Sequence, residues 1–124
     1  MNRVLIVDDE EQVRRALAQV LQRNCFECSS AARVDEAMAL VRSERPDVIL
    51  LNASLGAESG LDMQRVVRAS GGLAPAVIFI TGRRDLFGAM AEQLGPADDW
   101  LGKPWDQSEL IARVRVAMAR VSRS

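Results

Sequence analysis

Histidine is absent from this chain, and that one absence closes several routes at once. Imidazole acid–base catalysis, histidine metal sites and a phosphohistidine carrier are all excluded. Cysteine is scarce: Cys25 and Cys28 form a single C-x-x-C, with no second ligand pair and no helix N-terminus beside it. A redox or zinc reading needs one or the other. The alternation in Phe26-Glu27-Cys28-Ser29 sets positions 25 and 28 on opposite faces of a strand, too far apart to bridge, so both are expected to be idle thiols. No apolar run approaches the roughly 18 residues of a membrane span. The opening Met1-Asn2-Arg3-Val4-Leu5-Ile6-Val7 meets four acidic residues too soon for a signal peptide, so a cytoplasmic location is expected. Sixteen basic residues against seventeen acidic ones leave a net charge of −1, without the basic excess that a nucleic-acid surface needs. Direct contact with nucleic acid or membrane is not expected.

What is present suits one folded domain. The chain has 124 residues, 48% hydrophobic and 27% charged, enough to build a core and too apolar for disorder. The domain is expected to fill positions 1–124, whether complete or cut from something longer. Val4-Leu5-Ile6-Val7, Val48-Ile49-Leu50-Leu51 and Ala76-Val77-Ile78-Phe79-Ile80 are almost wholly apolar, as strands buried on both faces are. Weaker strands fit Phe26 to Ser30 and Trp100-Leu101. Helical spacing joins Val13, Leu17, Val20 and Leu21, then Val34, Met38 and Val41. It recurs in Met63, Val66 and Val67, and in Leu86, Met90 and Leu94. The last stripe, Leu110, Val114, Met118 and Val121, follows a capping signal at Asp106 and Glu109. Strand and helix alternate five times, which predicts an α/β domain: a doubly wound five-stranded parallel sheet, flavodoxin-like.

Ligands of such sheets bind beyond the carboxyl ends of the strands. The first apolar run ends in Asp8-Asp9-Glu10-Glu11, the third strand in Asn52, the fourth in Thr81-Gly82 and the fifth in Gly102-Lys103-Pro104. Each has a bland explanation as a helix-terminus charge, a strand end or a solvated side chain. Lys103 resists it. It is the only lysine among sixteen basic residues, so a site indifferent to the cation would carry arginine. The acidic run excludes a nucleotide-binding loop, which needs glycines whose N–H groups can meet phosphate. Gathered carboxylates suit Mg²⁺ instead, and a metal with an ammonium ion makes a phosphoryl-transfer site.

On these residues the chain resembles the receiver domain of two-component response regulators. Val4-Leu5-Ile6-Val7-Asp8-Asp9-Glu10 is similar to that family's first strand and acidic pair, and Asp47-Val48-Ile49-Leu50-Leu51 to the strand before its phosphoacceptor. Ser59-Gly60-Leu61, Ile80-Thr81-Gly82 and Trp100-Leu101-Gly102-Lys103-Pro104 continue the match. The resemblance implies strand order 2-1-3-4-5, a cis Lys103-Pro104 peptide, and weak Mg²⁺ binding. The implied ligands are Asp9 directly, Asp8 through water, the amide oxygen of Asn52 and the backbone carbonyl of Ser54. It implies Thr81 and Lys103 as the groups that meet the phosphoryl oxygens, and Thr81 with Trp100 as the switch. It implies signalling by contact rather than enzymatic turnover. A sensor histidine kinase or its substitute would act upstream. An effector domain or protein would dock on the face of the fourth helix, fifth strand and fifth helix, with a homodimer left open.

One departure decides the mechanism. The phosphoacceptor aspartate falls on position 52, which is Asn52. A carboxamide is a very poor nucleophile, so no acyl phosphate is expected there. Gly56-Ala57 also stands where receivers carry Pro-Gly, which predicts a looser loop. Two origins fit: an engineered form of a working receiver, or a natural atypical receiver, which the altered loop favours. A flavodoxin-like small-molecule-binding domain is the alternative from another class; against it, the chain lacks a phosphate-cradling loop and has few aromatic residues beyond Trp100 and Trp105 to stack on a flavin.

Overall fold

The computed structural model describes residues 2–122; Met1, Arg123 and Ser124 lie outside them. The chain runs β1 (Arg3–Val7), α1 (Glu11–Arg23), β2 (Glu27–Ala31), α2 (Val34–Glu44) and β3 (Val48–Asn52). It continues through α3 (Gly60–Ala69), β4 (Ala76–Thr81), a 3-10 turn at Arg84–Leu86, α4 (Phe87–Gln93), β5 (Asp99–Gly102) and α5 (Gln107–Ser122). The five strands are parallel, as the apolar runs predict, in the order β2-β1-β3-β4-β5 that the resemblance implies.

Every residue of β3 and β4 is buried, which is why those runs do not alternate. Side chains of one parity meet α1 and α5: Val4, Ile6, Leu50 and Ile78 join Leu17, Leu21, Leu110 and Val114. Those of the other parity meet α2, α3 and α4: Leu5, Val7, Leu51 and Phe79 join Ala37, Met63, Val67 and Met90. Asp106 caps α5, its carboxylate accepting from the Glu109 N–H at 3.2 Å. Among the described residues no helix is long and apolar enough to cross a membrane.

Three local expectations need correction. Val66, placed on the apolar stripe of α3, is 56% exposed, because Met63 and Val67 already fill the arc facing the sheet. Leu94 lies beyond the end of α4, which closes at Gln93 with Leu94 extended. Cys25 is not part of a strand at all: it sits in the turn after α1 with φ +68°, two residues before β2 begins. Both cysteines are free thiols, Cys25 exposed and Cys28 half-buried. Burial pushes the Cys28 thiol up to about 11. Iodoacetamide at neutral pH is therefore expected to label Cys25 well before Cys28; peptide mass mapping showing the reverse order would refute this.

Candidate functional site

The register aligns the strand ends that carry polar residues. Val7 pairs with Leu51, Asn52 with Ile80, and Thr81 with Gly102, so the residues that follow emerge along one edge. There an open cleft of about 390 Å³ is lined by Asp9, Glu10, Asn52, Ser54, Gly56, Thr81, Gly82, Arg83 and Lys103. Asp8 lies beneath it, 2% exposed. No aromatic ring lines the cleft, so it offers nothing for a flavin to stack on.

A carboxylate buried as deeply as Asp8 must be paired. Its Oδ1 accepts from the Glu10 N–H at 2.9 Å. Its Oδ2 takes Asn52 Nδ2 at 3.2 Å and lies 3.5 Å from Lys103 Nζ. The Lys103-Pro104 peptide is cis, and the Lys103 N–H donates to the Thr81 carbonyl at 2.9 Å. Thr81 is buried, and its hydroxyl oxygen accepts from the Arg83 N–H at 3.1 Å. Asn52 Oδ1 accepts from the Ser54 N–H at 3.0 Å. Asp8, Asp9 and Glu10 each offer a carboxylate oxygen, all within 4.8 Å of one another. An all-oxygen acidic donor set of this kind fits Mg²⁺.

Directly after Asn52 the chain does not loosen. Ser54–Leu55 pairs antiparallel with Glu58–Ser59, which makes Gly56-Ala57 a two-residue hairpin turn. Gly56 takes φ +65°, the positive value such a turn demands of its first residue, and buried Leu55 anchors the hairpin. The loop is thus ordered by a glycine in place of a proline. Gly60, at the start of α3, is held tighter still. A Cβ there would lie 2.1 Å from the Asn52 carbonyl oxygen and 3.0 Å from Ala53 Cα. Gly60→Ala is expected to push α3 off the end of β3 and cost about 2 kcal/mol, read as a lowered urea midpoint. An unchanged midpoint would show that the helix can shift freely.

Three residues of the site were not singled out from the sequence. Glu10 is hidden in the sequence within the acidic run Asp8-Asp9-Glu10-Glu11. Arg83 crosses the cleft mouth: it chelates Asp85 at 2.6 and 3.2 Å, and its Nη1 is 3.4 Å from Ser54 Oγ. The hydrogen bond from Arg83 holds the Asp85 carboxyl below the usual carboxylate range. Phe87 is the third. Its ring packs on Trp100 with centroids 4.5 Å apart and planes at 44°. A Cβ on Gly102 would touch the same ring at 3.4 Å. Because Thr81 pairs with Gly102 and Phe79 with Trp100, Phe87 covers the strand step between Thr81 and Trp100. Trp100 is half-buried and held by that contact.

Comparison with known proteins agrees with this geometry. The family model of the response regulator receiver domain matches residues 4–115. The DNA-binding response regulator MtrA of Mycobacterium tuberculosis is 33% identical over 118 residues, 95% of this chain and 51% of its own length. Response regulator MprA of Mycolicibacterium vanbaalenii is 33% identical over 120 residues, 97% of this chain and 52% of its own. The chain thus spans about half the length of the curated relatives it matches. Among solved structures, a CheY-like receiver domain protein from Methanospirillum hungatei superposes with TM-score 0.83 at 21% identity, covering 98% of this chain and 96% of its own. A receiver domain protein from Clostridium thermocellum gives TM-score 0.82 at 24% identity, covering 97% and 96%. At those identities the structures speak for the fold.

Proposed function

The chain belongs to the response regulator receiver domain family, and on that footing we propose that it is an atypical receiver that signals by protein contact without forming an aspartyl phosphate. The observation that carries this reading is Asn52 at the end of β3, beside Asp8 and Lys103. Phosphoryl transfer to a receiver needs a nucleophile, a cation to neutralise the phosphoryl oxygens, and donors that meet the developing charge. Asp8, Asp9, Thr81 and Lys103 can serve the last two needs. Only the nucleophile is missing. The Gly56-Ala57 turn and the bulk of Trp100 favour a natural origin over an engineered one.

In this reading Mg²⁺, when bound, neutralises negative charge at the cleft. Asp8, Asp9, the amide oxygen of Asn52 and the backbone carbonyl of Ser54 would hold it. Lys103 supplies a positive charge 3.5 Å from Asp8, and Thr81 supplies a hydroxyl at the end of β4. The output face is the surface of α4, β5 and α5, reached from Thr81 through Phe87 and Trp100. The upstream partner is a sensor histidine kinase or its substitute, the downstream one an effector domain or protein, and the setting is the cytoplasm.

The test is incubation with a small-molecule phosphodonor and Mg²⁺, followed by intact mass. No phosphoryl adduct should form. An acid-stable or labile adduct mapped to the cleft would overturn the reading. A smaller expectation concerns the relay: Phe87→Ala should red-shift Trp100 emission by exposing the indole, with Trp105→Phe as background. Unaltered emission would remove Phe87 from the path between Thr81 and Trp100.

A further inference from the structure

Val66 on α3 and Val116 on α5 are the large apolar side chains most exposed to solvent among the described residues. Val66 borders a groove. Helices α2 and α3 each follow a strand of the parallel sheet, so both start at its carboxyl edge and run the same way. On α2, Val34, Met38 and Val41 recur at helical spacing and are only half-buried. Alongside them α3 contributes Met63, Val66 and Val67. A cleft stands at each end of this apolar seam. The one near the strand ends, about 340 Å³, joins Val34, Met63 and Val66 to Glu58 and Asp62. The one at the far end, about 350 Å³, joins Met38, Val41 and Val67 to Arg42 and Arg45. Among the described residues no base lines the first and no acid lines the second.

Part of that polarity serves the helices themselves. Asp62 lies in the first turn of α3 and Arg42 in the last turn of α2, where each suits its own dipole. Glu58 and Arg45 lie outside both helices and extend the pattern. Glu58 belongs to the hairpin after β3, and its carboxylate accepts from the Val34 N–H at 3.1 Å. Arg45 follows α2 at φ +50°, a conformation that glycine or asparagine adopts more readily. Neither the Arg42 nor the Arg45 guanidinium has a partner among the described residues. Asp62 pairs with Arg65 at 2.9 Å, but both are exposed and Arg65 lines neither cleft.

An apolar seam that is acidic at one end and basic at the other complements itself when turned end for end. The helix rise from Val34 to Arg45 is about 16 Å, long enough to keep the two ends distinct. We propose that two copies of this chain associate through α2 and α3, antiparallel about a two-fold axis near Met38 and Val66. Glu58 and Asp62 of one copy then face Arg42 and Arg45 of the other, and the symmetry makes that match twice. The same rotation sets the α2 dipoles antiparallel. Two helices with their flanking loops offer a face of roughly 20 by 25 Å, or about 500 Å² per copy. That is the low end for a specific contact, so a Kd of about 0.1 mM is expected. The contact leaves position 52 and the surface of α4, β5 and α5 uncovered, and it requires no phosphate.

Sedimentation equilibrium of this chain from about 10 µM to 1 mM reads the association. Raising NaCl from about 50 to 500 mM should weaken it severalfold by screening. Val66→Asp should weaken it at least about tenfold, while Val116→Asp should leave Kd within about twofold. Arg42→Glu/Arg45→Glu and Glu58→Lys/Asp62→Lys proteins should each be monomeric. Their equimolar mixture should regain the dimer, because a groove acidic at both ends then meets one basic at both ends. Circular dichroism melts verify that each variant is folded, and a folding defect could not restore association on mixing. A dimer indifferent to salt, or a mixture that stays monomeric, overturns the charge pairing and with it the proposal. A dimer lost in Val116→Asp and kept in Val66→Asp moves the contact to α5 and overturns it too. A monomer at the highest concentration overturns self-association and leaves the groove to a different protein.

Discussion

An Asn52→Asp protein treated with a small-molecule phosphodonor and Mg²⁺ should gain one phosphoryl group that is lost on mild alkali or hydroxylamine, where the unaltered chain gains none. Phosphoryl transfer relies mostly on positioning and electrostatics, and the proposed function assigns those parts to residues already in the cleft. Asp8 is buried 3.5 Å from Lys103, Thr81 ends the neighbouring strand, and Gly60 lets α3 press against the backbone of residue 52. A carboxylate introduced at 52 can keep the Ser54 N–H as donor to one oxygen. Its other oxygen replaces the Nδ2 that faces Asp8, so a donor–acceptor contact becomes a repulsion between carboxylates. Cation binding relieves that repulsion. Affinity for Mg²⁺ should therefore rise about tenfold or more on the same substitution, since a fourth acidic side chain joins the cluster. A variant that binds Mg²⁺ more tightly and still takes no phosphate would place the fault in the Gly56-Ala57 turn, because an ångström of misplacement suffices. A variant that does neither would show that the cleft is not a receiver site awaiting its nucleophile.

Much of this was legible beforehand, for a physical reason. Strands buried on both faces cannot alternate, so Val48-Ile49-Leu50-Leu51 and Ala76-Val77-Ile78-Phe79-Ile80 announced a parallel sheet, and the sheet announced where its ligands would sit. Asp9, Asn52, Ser54, Thr81 and Lys103 line one cleft with Asp8 below because each ends or follows a strand. What escaped depends on side-chain direction, which spacing does not encode. Val66 sits one position from buried Val67 and faces out. Gly56-Ala57 read as a loosened loop because the proline is missing, but a glycine with positive φ closes the hairpin by a different turn. Phe87 is hidden at the start of α4, where the helical stripe of Leu86 and Met90 leaves out the ring between them. Asp98 and Asp99 look alike in sequence, yet consecutive positions face opposite ways: Asp99 meets Arg113 at 2.7 Å near the surface, while the Asp98 side chain is fully buried.

Asp98→Ala should be strongly destabilising, costing about 4 kcal/mol of the roughly 5–15 that a domain of this size possesses. Asp98 stands before β5 and knits four segments together. Its Oδ1 accepts from the Val77 N–H at 2.8 Å and from Arg68 Nη2 at 3.2 Å. Its Oδ2 accepts from the Gly95 N–H and from Gln64 Nε2, both at 2.9 Å. Gln64 in turn donates to the Gln93 carbonyl, and Gln93 donates to Gln64 Oε1 and the Leu61 carbonyl, tying the end of α4 to α3. Removing the carboxylate strands four donors, one of them on an arginine whose side chain is only 19% exposed. Arg68 keeps its bonds to the Gly72 and Pro75 carbonyls, which hold the loss below that of a fully isolated charge. Asp98→Asn should help little, since its NH₂ would face either Gly95 N–H and Gln64 Nε2 or Val77 N–H and Arg68. The partner test is Arg68→Met in the Asp98→Ala background. With the charge gone, the double variant should recover about 1–2 kcal/mol over the single one, a coupling measured by urea unfolding of the four proteins in the cycle. A loss below about 1 kcal/mol for Asp98→Ala would mean that water replaces the carboxylate at little cost. The β4–β5 edge, and with it the pose of α4, would then owe its stability to apolar packing such as that of Met90 and Phe79.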